Sequence, residues 1–267
     1  MAARDLPSPD RPPSGAYVEQ APDAALAPHV ACFWTRAPSL GSEDPQRAHR
    51  VLPDGCADAI FLFDLGMQAQ AVGTMTRPLV VESTPHTSFL GARFRPGVAA
   101  AALGVPASAL TDVRVGLSEL WPNSNALLDA VEGAGDVRGR IRVLSAAIAR
   151  RLLAAPASSP PPAVVEAIRR IEATRGNVSV GTLCAQLGVT RQHLARMFDH
   201  HVGISPKMLA RVVRARAVLA RVRARGSREV DWTALALDAG YYDQSHLISD
   251  FGELTGLTPT AWLAEGS

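Results

Sequence analysis

Over roughly the first hundred residues the apolar side chains come in short runs broken by turn residues; over the last hundred they recur every three or four positions. Residues 30–35, 57–63 and 88–94 are the clearest short runs, with Pro53-Asp54-Gly55 and Pro96-Gly97 as turn signals. Short apolar runs between proline- and glycine-bearing turns predict strands. The period changes at residues 137–153, where Val137, Ile141, Leu144, Ile148 and Leu152 share one face of a helix and arginines cover the other. Beyond a proline-rich stretch at 156–162 the pattern is helical throughout. Val164, Ile168 and Ile171 mark a helix ending at Gly176, Ser179 caps the next, Thr190 opens a third, and Ser205-Pro206 starts a long one with Gly226 near its end. Serine and threonine satisfy the orphan amides of a helix start, and proline suits the first helical position. This order predicts a two-domain α+β chain. Residues 1–15 read as a disordered tail and 16–155 as a β-rich sensor or dimerisation domain with trailing helices. Residues 156–162 read as a stiff linker and 163–267 as an all-α domain.

The all-α part is written twice. His193-Leu194, Phe198, Gly203 and Pro206 recur 53 positions on as His246-Leu247, Phe251, Gly256 and Pro259. Each copy follows a short helix and a glycine turn, Gly188-Val189-Thr190 in the first and Gly240-Tyr241-Tyr242 in the second. Two tandem helix-turn-helix units, each offering a helix to the DNA major groove, are the reading this repeat supports. The long helix between them, about 20 residues at 1.5 Å each, spans roughly 30 Å, close to the 34 Å between major grooves on one DNA face.

Charge agrees once it is divided. The whole chain carries +2, but residues 190–228 hold nine arginines and one lysine against the single acid Asp199, a local +9. A polyanion partner explains such a stretch, since each neutralised phosphate releases counterions. The three cysteines, Cys32, Cys56 and Cys184, lie far apart with no C-x-x-C pair, which argues against a disulfide framework or structural zinc. No apolar run reaches the length of a membrane span and the N-terminus has no hydrophobic signal core, so a soluble, cytoplasmic protein is expected.

On the first reading helix Leu194, Met197 and Phe198 form the inward stripe, leaving Gln192, Ala195, Arg196 and Asp199 outward with Arg191 beside them. Arginine pairs bidentately with guanine and glutamine with adenine, so Arg191, Gln192 and Arg196 are the candidate base readers. The equivalent outward positions of the second helix are Ser245, Ile248, Ser249 and Gly252, with Gln244 adjacent, a weaker reading surface that suits phosphate and thymine-methyl contacts. Thr190, His193, Asp243 and His246 complete the expected DNA-contacting set at the two helix starts. Arg211 and Arg214 of the long helix are expected to touch phosphates. For the two histidines, a helix-face role bonded to backbone or phosphate outweighs any metal role.

The second copy, Gly240-Tyr241-Tyr242-Asp243-Gln244-Ser245-His246-Leu247 through Phe251, Gly256 and Thr258-Pro259, resembles the signature of AraC/XylS-type transcriptional regulators over residues 163–264. Ser249 and Gly252 stand where that family often carries basic residues. The segments His49-Arg50-Val51-Leu52-Pro53-Asp54-Gly55-Cys56 and Gly91-Ala92-Arg93-Phe94-Arg95-Pro96-Gly97 are similar to those of a subgroup whose sensor domain is expected to be a cupin-like β-barrel. What the resemblance implies is a bacterial regulator, an activator by expectation, that binds double-stranded DNA. Its expected partners are a small-molecule effector, a second copy of the chain paired through the apolar stripe of residues 137–153, and RNA polymerase. A hollow barrel would offer Trp34, Arg50, Phe61, Phe63, Arg93 and Phe94 to the effector.

Catalysis is not expected, and neither a metal nor a cofactor: His29, His49 and His86 stand alone, without the closely spaced histidines and carboxylate of a metal-dependent cupin. Two other classes remain. An architectural DNA-binding protein would share the basic helices but has no need of a tethered β-rich domain. A thiol-based redox or alkylation sensor would need Cys56 exposed and acidified, against the plainer reading of a small buried apolar residue.

Overall fold

In the computed structural model, which describes residues 17–38, 47–63, 66–83, 86–155, 158–225 and 230–265, the short apolar runs are antiparallel strands. The expected tail at 1–15, part of the linker and Gly226 lie outside the described residues. Six strands form one sheet: β1 (Tyr17–Gln20), β2 (Val30–Arg36), β4 (Ala57–Phe63), β5 (Gln68–Val72), β7 (Ser88–Phe94) and β8 (Arg114–Gly116). Their order is β1-β2-β7-β4-β5-β8. Strands β3 (Arg47–Val51) and β6 (Leu79–Ser83) pair separately.

Alternation along the strands sorts two faces. Phe33, Ala57, Ala59, Phe61, Leu90, Ala92 and Phe94 form one, buried against Leu103 of α1 (Ala99–Leu103), Leu127 and Val131 of α2 (Ser124–Glu132) and Leu144, Ala147 and Ile148 of α3 (Val137–Ala154). The helix predicted over 137–153 is therefore α3, but its apolar stripe closes the core of its own domain instead of facing a second copy. The interleaved positions Trp34, Asp58 and Arg93 carry polar chemistry. Trp34 Nε1 donates to Asp58 Oδ1 at 2.9 Å, and its indole lies across Gly91, where any Cβ would collide with the ring.

The rest of the chain is helical: α4 (Pro162–Ala173), α5 (Val180–Leu187), α6 (Arg191–His201), α7 (Pro206–Arg225), α8 (Trp232–Asp238), α9 (Gln244–Thr255) and α10 (Pro259–Glu265). The 20-residue α7 belongs to two cores. Its Leu209 and Ala210 pack with Ile168, Ile171, Leu183, Leu194 and Phe198, while its Val218, Leu219 and Val222 pack with Leu235, Tyr241, Leu247 and Phe251. One helix is thus a wall of both helix-turn-helix units, which ties their spacing to its length.

The two domains touch directly, at the far end of α6 from its N-cap. Thr74 Oγ1 donates to the Val202 carbonyl at 2.7 Å, Thr111 Oγ1 to that of Gly203 at 2.6 Å, and Ser108 Oγ to Asp199 Oδ2 at 2.9 Å. Leu52 packs against the second helical core, and Asp54 meets Arg216 of α7 at 3.3 Å.

Candidate nucleic-acid interface

The start of α6 is built by its cap. Thr190 stays extended and its side chain accepts a hydrogen bond from the His193 amide at 3.1 Å. With Leu194 and Phe198 fully buried, the helix can turn only one way, and Arg191, Gln192, His193, Ala195 and Arg196 are exposed. Among the described residues, Arg191, Gln192 and Arg196 form no hydrogen bond or ion pair within the chain. Two guanidinium groups and an amide at the free N-terminal end of a helix suit the bidentate edges of guanine and adenine.

The second unit repeats the construction with other side chains. Asp243 takes the place of Thr190 and accepts from the His246 amide at 2.7 Å, while the imidazole of His246 meets the Tyr241 ring edge-on. Ser245, His246, Ile248 and Ser249 are exposed, but Gln244 is already engaged, its Oε1 accepting from Thr233 Oγ1 at 2.8 Å. Thr190 and Asp243 therefore serve first as helix caps. Tyr242, 87% exposed in the turn just before α9, was not singled out from the sequence, where it reads as a turn residue.

Arg211 and Arg214 are placed otherwise than expected. Arg211 Nε donates to Asp250 Oδ1 at 2.9 Å, and the same guanidinium reaches Glu253. Arg214 Nη1 donates to the Gly240 carbonyl at 3.1 Å and lies over the Tyr241 ring. Both arginines fasten the second unit to α7 through these contacts, Arg211 with two guanidinium nitrogens and Arg214 with Nη1. A charged residue facing the next helix and one facing solvent are indistinguishable when only the helical period is visible.

In the N-terminal domain the effector candidates do not converge. Phe61 is wholly in the core with the helices. Arg93 lies between Asp54 and Asp58, 3.3 Å from each, with Trp34 bonded to the same Asp58. Arg50 reaches instead toward Gly256 of the second unit, where a Cβ would lie 3.0 Å from its Nη1. Cys56 follows the Asp54 turn, whose carboxylate accepts from its amide at 2.9 Å. Burial, with the carboxylates of Asp54 and Asp58, pushes its thiol well above the ordinary range, so it is held protonated and poorly nucleophilic. That counts against the thiol-sensor reading.

Residues 183–265 match the helix-turn-helix domain family, spanning both turns and both reading helices. This part of the chain is an AraC-type helix-turn-helix domain. Residues 18–116 match a second family, described as a domain of unknown function (DUF6597). No curated protein matches the sequence. Solved structures similar to this chain include ToxT from Vibrio cholerae. Its apo form is 13% identical, with 87% of this chain and 97% of that one covered and a TM-score of 0.43. A ToxT structure bound to (E)-4-(8-methylnaphthalen-1-yl)but-3-enoic acid is 12% identical, with 83% and 98% covered and a TM-score of 0.42. A third, bound to an unsaturated fatty acid, is 10% identical, with 82% and 90% covered and a TM-score of 0.38. Such scores lie too low to align individual residues, so the placement of each side chain in the AraC-type domain rests on its own geometry.

Proposed function

We propose that α6 and α9 read successive major grooves on one DNA face, and that the N-terminal domain governs their placement when a small molecule binds to it. The observation that carries the reading is the free, exposed trio Arg191, Gln192 and Arg196 on a capped helix whose opposite face is fully buried. The roughly 30 Å of α7 suits a one-turn separation of the two readers. Control by the N-terminal domain is supported by its contacts with the C-terminal end of α6 at Asp199, Val202 and Gly203 and with α7 at Arg216. A second copy on the operator and contact with RNA polymerase belong to the same reading. With the α3 stripe consumed in the core, pairing would have to use another face.

Fluorescence anisotropy of the full chain on DNA selected from a random pool tests the reading. Affinity should fall steeply with salt, and Arg191→Ala or Arg196→Ala should cost about 1–3 kcal/mol on the selected site while relaxing preference at one base position. Equal weakening on selected and random DNA would make these arginines phosphate clamps and remove the base-reading assignment.

A further inference from the structure

A cleft of about 250 Å³ opens at one end of the six-stranded sheet, where the first turn of α3 crosses the strand ends. Thr35 and Arg36 from β2, Phe63 from β4, Phe89 from β7, and Val137 and Arg140 from α3 line it. Most of this lining is apolar, yet two guanidinium groups border it. Arg140 lies over the Phe63 ring, 4.2 Å from its centroid, and its Nε is buried with no hydrogen-bond partner. Among the described residues neither Arg36 nor Arg140 meets a carboxylate. Other arginines of the fold do meet carboxylates: Arg93 those of Asp54 and Asp58, Arg169 that of Glu166, and Arg211 those of Asp250 and Glu253.

Two cations beside apolar walls are matched by one ligand chemistry above others. We infer that this cleft binds a small organic acid, its carboxylate held by Arg140 and Arg36 and its hydrocarbon body laid against Phe63, Phe89 and Val137. Planar guanidinium forks bind carboxylates bidentately, and the ring beneath Arg140 fixes the fork in place. The volume admits an acid on the order of ten heavy atoms, which excludes a nucleotide. Of the residues expected from sequence to line an effector site, Phe63 borders this cleft, and Trp34, Arg50, Phe61, Arg93 and Phe94 do not. The site rests on the reading of the N-terminal domain as the sensor and names the class of its effector. A route to DNA is present, because α3 packs on α1 and α1 in turn contacts α6.

Calorimetric titration of the full chain with hexanoate and phenylacetate, beside the neutral 1-hexanol and 2-phenylethanol, tests the site. The acids should bind saturably and at least tenfold more tightly than the alcohols. Arg140→Gln and Arg36→Gln should each weaken the acids tenfold or more while leaving alcohol binding unchanged. Arg36 does not stack on Phe63, so its variant keeps the test intact if Arg140→Gln fails to fold. Equal affinity for acids and alcohols, unaltered acid binding in both variants, or no saturable binding of any probe at millimolar concentration would overturn the proposal. Anisotropy on DNA, run with and without phenylacetate, separates this result from the broader reading. Acid binding with unchanged DNA affinity leaves the site standing and removes the sensor role, whereas loss of all DNA binding in the unliganded protein strikes at the reading helices alone.

Discussion

Asp58 meets Arg93, Asp54 and Trp34 on the polar face of the large sheet. Burial pushes its carboxyl from 3.8 up to about 6, against the pull of Arg93 and the Trp34 hydrogen bond. A carboxyl whose folded value is raised binds a proton in the native state that the unfolded chain has already released. Its contribution to stability is therefore greatest below about pH 4 and is lost as pH rises through 6. Unfolding by urea should show stability falling by on the order of 3 kcal/mol across that window from this group, and Asp58→Asn should flatten the fall. The same slope in the variant would place the proton elsewhere. The caps are a second residue-scale test. Thr190→Ala and Asp243→Ala should each cost about 1 kcal/mol of thermal stability by releasing one amide at a helix start. That Thr190 would cap a helix was legible in the chain, since a cap is a matter of three neighbouring residues.

At the scale of elements, α7 is a strut before it is a DNA-contacting surface. Arg211→Ala leaves Asp250, only 4% exposed, without its cation, and should cost about 3 kcal/mol in chemical unfolding while loosening α9 from α7. Unchanged stability with uniformly weaker DNA binding would return Arg211 to the phosphate role. The two reading helices should also work unequally. Free Arg191, Gln192 and Arg196 on α6 face Gln244, already bonded to Thr233, and two serines on α9. Selection from random DNA should return one sharp block of bases and, one turn away, a looser block read through backbone contact and DNA shape. Ser249→Arg should raise affinity and sharpen the loose block, and two equally sharp blocks for the parent chain would show the readers to be equivalent.

At the scale of the whole molecule, the N-terminal domain meets the two helix-turn-helix units at equivalent points of the repeat. Gly203 and Gly256 each follow a reading helix, with φ of 84° and 73°. A Cβ on Gly203 would lie 2.9 Å from the Ala107 carbonyl, and one on Gly256 3.1 Å from the Pro78 ring. A single domain seated on both points braces the spacing of the readers. Removing the hydroxyls that hold Val202 and Gly203, with Thr74→Val combined with Thr111→Val, should let the protein tolerate a base pair more or less between the two blocks, as measured by anisotropy on a spacing series; strict spacing in that variant would show that α7 sets the distance alone. Sequence alone determined the two-domain order, the doubled unit, the caps and the outward face of α6, because each follows from contacts three or four residues apart and from the cost of exposing apolar side chains. Only the tertiary structure decided which cations are free. Arg211 and Arg214 became struts, the α3 stripe became core, and Arg36 and Arg140 were brought to one unmatched cleft, because the partner of a long charged side chain is set by how distant elements pack, and no local spacing records that.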